Sequence, residues 1–189
     1  MKNILQTTAF LFTISAVLFS CKKDDDNVTT PPPPSNDHEI ITSMILVFTD
    51  SSNGQAAGSF AFRDTDGDGA NAPVEWDTIS LQAGKTYFMK TILLNETTVP
   101  FDTISNEVLA EANDHQLFYS ISGANMIHTY MDQDSNTPPL PVGLQNKIVT
   151  GAASQGTLRV ILKHQPGTKN GQVTTGDTDI DILFQAKIQ

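Results

Sequence analysis

An antiparallel β-sandwich with one short helix is the fold this sequence predicts. Three observations carry the prediction. From residue 38 onward, roughly eight or nine short segments alternate apolar and polar residues, as half-buried strands do. Clusters of Gly, Asn, Ser and Asp separate these segments, supplying the conformations tight turns require. Only the stretch 102–112 spaces its apolar residues as a helix does. Many short strands with turns between them suit two packed sheets of the Ig-like or Greek-key kind. An open Greek-key barrel is the alternative.

In order, residues 40–49 form a first strand with Ile40, Met44, Leu46 and Phe48 on one face. Ser51-Ser52-Asn53-Gly54 is a turn, and 59–63 a short strand with Phe60 and Phe62 inward. Strands 78–81 and 86–95, joined by Gln82-Ala83-Gly84-Lys85, have the pattern of a hairpin. In the helix, Asp102 or Thr103 is placed to cap, Ile104, Val108, Leu109 and Ala112 make the apolar stripe, and Glu107 lies near the start, where negative charge is favoured. Strands resume at 116–122 and 125–131 around Gly123-Ala124, and 147–150 is a short edge strand.

The last pair, 157–164 and 178–188, is the most explicit. Leu158, Val160 and Leu162 share one face, as do Ile180, Ile182, Phe184, Ala186 and Ile188 on the partner. The outer face carries Asp177, Asp179 and Asp181 opposite Arg159 and Lys163, which is a solvated charge ladder more naturally than a cation site.

Ahead of this body stand two further segments. Residues 1–20 have the parts of a secretory signal: Lys2, then an apolar run from about Phe10 to Phe19, too short for the roughly 20 residues of a membrane span. The run closes on Leu18-Phe19-Ser20-Cys21, which resembles the lipobox of bacterial lipoproteins. That resemblance implies that Cys21 becomes the first mature residue and carries acyl chains, palmitate among them. Residues 21–37 then form a tether. It holds Lys22-Lys23-Asp24-Asp25-Asp26 and a run of prolines from Pro31 to Pro34, with no apolar periodicity. Extended at about 3.1 Å per residue, it reaches up to about 50 Å. Residues 38–189 are the single β-sandwich domain. Cys21 is the one cysteine of the chain, so the domain has no internal disulfide to rely on.

Charge narrows the partners. The formal net charge of −10 repels nucleic acid and suits cations or basic surfaces, and no basic stripe with interleaved aromatics offsets it.

The best chemical motif is Asp64-Thr65-Asp66-Gly67-Asp68-Gly69. It matches the D-x-D-x-D-G calcium pattern, with the Ala70 carbonyl and Glu75 where that pattern places further ligands. Calcium wants six to eight oxygens, and alternate residues of a tight loop turn their carboxylates inward. The motif resembles an EF-hand loop over those twelve residues only. The flanks read as strands, so the expectation is a calcium loop on a β-scaffold, against an Asp- and Gly-rich surface turn. Asp132-Gln133-Asp134-Ser135-Asn136 is a poorer fragment of the same kind. Trp76 abuts the acidic loop, as a platform for a sugar ring or as packing over the sandwich end.

Of the histidines, His38, His115, His128 and His164, none is paired at zinc-like spacing, and His128 and His164 read as core-edge residues. No G-x-S-x-G, phosphate loop or dinucleotide fingerprint occurs, so no catalytic residue is assigned.

With the leader, Arg63-Asp64-Thr65-Asp66-Gly67-Asp68-Gly69, Asp114-His115-Gln116 and Leu162-Lys163-His164-Gln165-Pro166-Gly167 in view, the chain resembles an uncharacterised family of Bacteroidetes lipoproteins. The acidic cluster after Cys21 is similar to the surface-export signals of such lipoproteins. The resemblance implies an outer-membrane location, facing the cell surface or the periplasm, and no activity. The expectation is a lipid-anchored, non-enzymatic protein that binds or displays a ligand or envelope protein. A glycan-binding module with a calcium-propped loop is one alternative, and a metal-dependent hydrolase using scattered histidines and aspartates is the other.

Overall fold

The computed structural model describes residues 39–66 and 71–189. The leader, the tether with Cys21, and Asp68 and Ala70 of the acidic loop lie outside them. The described chain is a β-sandwich of two open sheets, so the barrel alternative is not realised.

The larger sheet runs in the order β3 (Glu75–Trp76), β2 (Ala56–Arg63), β1 (Ser43–Asp50), β5 (Thr86–Leu94), β8 (Gln145–Thr150) and β7 (Met126–Tyr130), with every neighbour antiparallel. The smaller runs β4 (Thr78–Leu81), β10 (Asp177–Ile188), β9 (Ser154–His164) and β6 (His115–Ser122), antiparallel except for β4 beside β10.

One core fills the space between the sheets. Met44, Leu46 and Phe48 of β1 and Tyr87, Met89 and Leu93 of β5 come from one side. Leu158, Val160 and Leu162 of β9 and the alternate residues Ile180 to Ile188 of β10 come from the other. Period-two alternation places each set on a single face, and each large side chain buried this way contributes about 1.5–3 kcal/mol. Ile40 is expected on the β1 face, but the strand begins only at Ser43 and Ile40 stays exposed.

The expected hairpin of 78–81 and 86–95 is not one. β4 and β5 belong to opposite sheets, and Gln82–Lys85 crosses the sandwich. Thr150 holds that crossing: its hydroxyl donates to the Gln82 carbonyl at 2.7 Å and accepts the Lys85 N–H at 3.0 Å. Alternation states that one face of each arm is buried, not that the two arms pair; sheets about 10 Å apart lie within reach of a short turn. The Gly123-Ala124 turn likewise carries the chain from β6 in one sheet to β7 in the other. The expected edge strand at 147–150 is β8, which lies between β5 and β7 with Asn146, Ile148 and Thr150 buried.

The helix α1 (Ile104–Ala110) packs on β5 and β6 through Ile104 and Val108. The Ser105 hydroxyl accepts the Leu93 N–H at 2.6 Å, which ties it to β5. Thr103 occupies the cap position without a side-chain capping bond, and Leu109 faces solvent. A helix this short is held by docking rather than by its own hydrogen bonds.

In the last pair, Arg159 grips Asp181 with two parallel bonds, Nε to Oδ1 at 2.8 Å and Nη2 to Oδ2 at 2.5 Å. Lys163 donates to the Thr178 hydroxyl at 2.8 Å. A register shift between Thr178 and Ile180 takes Asp179 out of the row and encloses its side chain completely.

Candidate functional site

At the end of the smaller sheet where β6 begins and β9 stops, His115 and His164 are direct partners in the ladder. Their rings stack face to face, 4.4 Å between centroids and 4° from parallel. The His115 side chain is fully buried, and that of His164 partly so.

Local backbone chemistry brings Glu111 to the same place. Helix α1 ends at Ala110, and the Glu111 N–H closes on the Glu107 carbonyl at 2.8 Å. The chain then reverses over four residues, with the Asp114 and His115 N–H groups both directed at the Glu111 carbonyl, at 2.9 and 3.2 Å. That turn sets the Glu111 carboxylate against His115, Oε2 to Nδ1 at 3.7 Å. On the other edge of the same ring, His115 Nε2 lies 4.0 Å from Asp179 Oδ2.

The surroundings are firmly held. The Asp114 carbonyl accepts the Gln165 N–H at 2.6 Å, and its carboxylate accepts the Gly167 N–H at 3.0 Å, which fastens the end of β9 to the turn. The buried Gln165 side chain donates to the Gln172 and Thr175 carbonyls and gathers the loop 165–176 beneath it. Gly176, at φ +72°, passes so close to β9 that a Cβ there would lie 2.1 Å from the His164 carbonyl oxygen. Lys169 reaches into an enclosed site, where its ammonium bonds the Ala112 carbonyl and the Asp134 carboxylate, both at 2.8 Å.

The electrostatics are distinctive. Burial, with the neighbouring His164 second, pushes the pKa of His115 below the usual imidazole range. Glu39 is pushed up to about 7, first by burial, then by its hydrogen bond to Glu107 and the negative charges of Glu107, Glu111 and Asp179. Several carboxylates therefore crowd His115, whose imidazole favours the neutral form.

No family model, no curated protein and no solved structure matches the chain.

Imidazoles beside a carboxylate are metal-ligand chemistry. Among the described residues, Glu111, His115 and His164 form the one trio of His, Cys, Asp or Glu whose donor atoms all lie within 4.8 Å of one another. Spacing along the chain does not reveal this pair, because strand pairing creates it. The available signal was positional: His115 adjoins the start of one expected strand and His164 ends another.

The residues singled out from sequence lie elsewhere. Asp64 and Asp66 lead into the acidic loop, and Asp66 accepts a bond from the Asn71 amide, the main cause of its lowered pKa. Glu75 stands in β3 across from Arg63, with Oε2 3.4 Å from Nη1. Trp76 meets Phe62 edge-on at 5.3 Å yet stays 54% exposed. It borders a depression of about 340 Å³ lined also by Asp77, Thr78, Leu183 and Gln185. In the second acidic fragment, Asp132 accepts the Gly143 and Gln145 N–H groups, and Asp134 accepts those of Asn136 and Leu140 besides its bond to Lys169. Both carboxylates there organise a loop. His128 bonds Asn146 at 2.8 Å and lies against Tyr119, a satisfied residue of the sheet.

Proposed function

We propose that this protein is a lipid-anchored binding or display domain of the cell envelope. The observation that carries the reading is Cys21, the one cysteine of the chain, closing an apolar leader as Leu18-Phe19-Ser20-Cys21 ahead of a proline-rich tether. Acyl chains anchor through buried methylenes, each worth about 0.8 kcal/mol, and two or more give stable retention. The body supports the reading through its packed core, which directs any ligand to the surface. The net charge of −10 favours a cationic or basic partner over nucleic acid. Labelled palmitate should enter the wild-type protein in the membrane fraction, and Cys21→Ala should release the protein from it. A Cys21→Ala chain that stays membrane-bound contradicts the anchor. Protease treatment of intact cells separates display at the surface from the periplasmic face.

A second reading is favoured by Trp76. A half-exposed indole beside a shallow depression, on the strand that follows the acidic loop, suits stacking on a sugar ring. In this reading calcium, held by Asp64, Asp66, Asp68, the Ala70 carbonyl and Glu75, props the loop. Glycan-dependent quenching of Trp76 fluorescence that disappears with a chelator supports it. Indifference to a broad glycan array removes it.

A further inference from the structure

We propose that Glu111, His115 and His164 form a binding site for a divalent transition-metal ion of the zinc class. This site is separate from the acidic loop and independent of the anchor.

The donor set selects the ion. Two imidazoles and one carboxylate suit a borderline-soft cation, whereas calcium and magnesium prefer oxygen alone. The donors are already gathered within 4.8 Å. On the edge of the ring away from Glu111, His115 Nε2 is buried and has no hydrogen-bond partner among the described residues. Such a polar atom enclosed in a folded chain calls for a reason.

Geometry assigns the roles. His115 presents Nδ1 toward Glu111, 3.4 Å from its carbonyl oxygen and 3.7 Å from its carboxylate, a contact that an ion would replace, and Nε2 toward Asp179. An ion on the Nδ1 side leaves Nε2–H to donate to Asp179, the carboxylate–histidine–metal relay that orients ligating imidazoles. Ion binding fixes that tautomer and draws the two groups, now 4.0 Å apart, into a hydrogen bond. Glu107 adds negative charge near Glu111, Glu39 shares a hydrogen bond with Glu107, and neither is needed as a ligand.

One movement is required. Parallel stacked rings cannot both aim a lone pair at one ion about 2.0–2.1 Å away. His164, only partly buried, tilts toward the Nδ1 edge of His115, while His115 stays in place. Glu111, 58% exposed, stands at the mouth of the site and provides the entry path. Three protein ligands leave a fourth position for water, as in open zinc sites.

The test is a zinc titration of the full chain carrying Cys21→Ala, which removes the competing thiol, followed by calorimetry and metal analysis. The expected result is one zinc per chain, a raised thermal midpoint, no displacement by excess calcium, and binding that weakens as pH falls and the imidazoles protonate. His164→Gln should abolish stoichiometric binding. Glu111→Gln, at an exposed position that leaves the fold intact, should weaken it by about tenfold or more. If His164→Gln fails to fold, Glu111→Gln decides alone. Absence of stoichiometric zinc in the parent chain overturns the proposal, as does a folded variant of either residue that binds zinc like the parent.

Discussion

His115 and His164 face each other as partners in the β6–β9 ladder, their rings 4.4 Å apart and within 4° of parallel. Everything around this pair holds it in register. The Glu111–Asp114 turn fixes one ring, the loop 165–176 fixes the strand that carries the other, and Asp179 closes one edge.

The close pass of Gly176 over His164 is testable. Gly176→Ala places a Cβ against the His164 carbonyl at a φ of +72°. Gly84 shares that backbone conformation, at +67°, but has no atom within 4 Å of its would-be Cβ. Gly84→Ala should therefore show the conformational strain alone, about 1 kcal/mol, and Gly176→Ala clearly more. Denaturant midpoints for the two variants give the comparison, and equal losses would mean that the contact is not tight.

The Lys169–Asp134 pair is enclosed, with side chains 1% and 0% exposed. Burial by itself raises the Asp134 pKa, but the Leu140 N–H, the Lys169 ammonium and Asn136 outweigh it, and the net shift is downward. Lys169→Met leaves that carboxylate without its cation and should cost roughly 3 kcal/mol. Adding Asp134→Asn should recover part of the loss, because the stranded charge is gone. Strictly additive losses in thermal melts would show that the two groups do not interact.

Glu39 gives a pH signature. Its pKa rises from 4.5 in the unfolded reference to about 7 in the folded chain. Below about 4.5 both states are protonated and the group takes nothing from stability. As pH rises toward about 7 the unfolded chain ionises first, so the folded state loses ground. Glu39→Gln should match the wild type at the acid end and melt higher above neutrality. Thermal midpoints that run parallel across this range would dismiss the carboxylate cluster formed with Glu107, Glu111 and Asp179.

Much of the fold was legible because alternation is local. The inward residues of β9 and β10 are those the period-two pattern marks, and Arg159 does meet Asp181 on the outer face. Sheet membership was not legible, since the arms around Gln82–Lys85 alternate identically whether they pair or face each other across the core. Asp179 escaped for a related reason: a single register shift after Thr178 overrides the alternation that places it in an outer row. The histidine pair could not be seen either. It exists because β6 and β9 are neighbours, although β7 and β8, which lie between them in sequence, belong to the other sheet.

The anchor is tested most directly by the intact mass and N-terminal peptide of the protein recovered from its native membrane. The expected product begins at Cys21 and carries the added mass of acyl chains on that residue. A chain that retains residues 1–20, or one with Cys21 unmodified, would contradict the account.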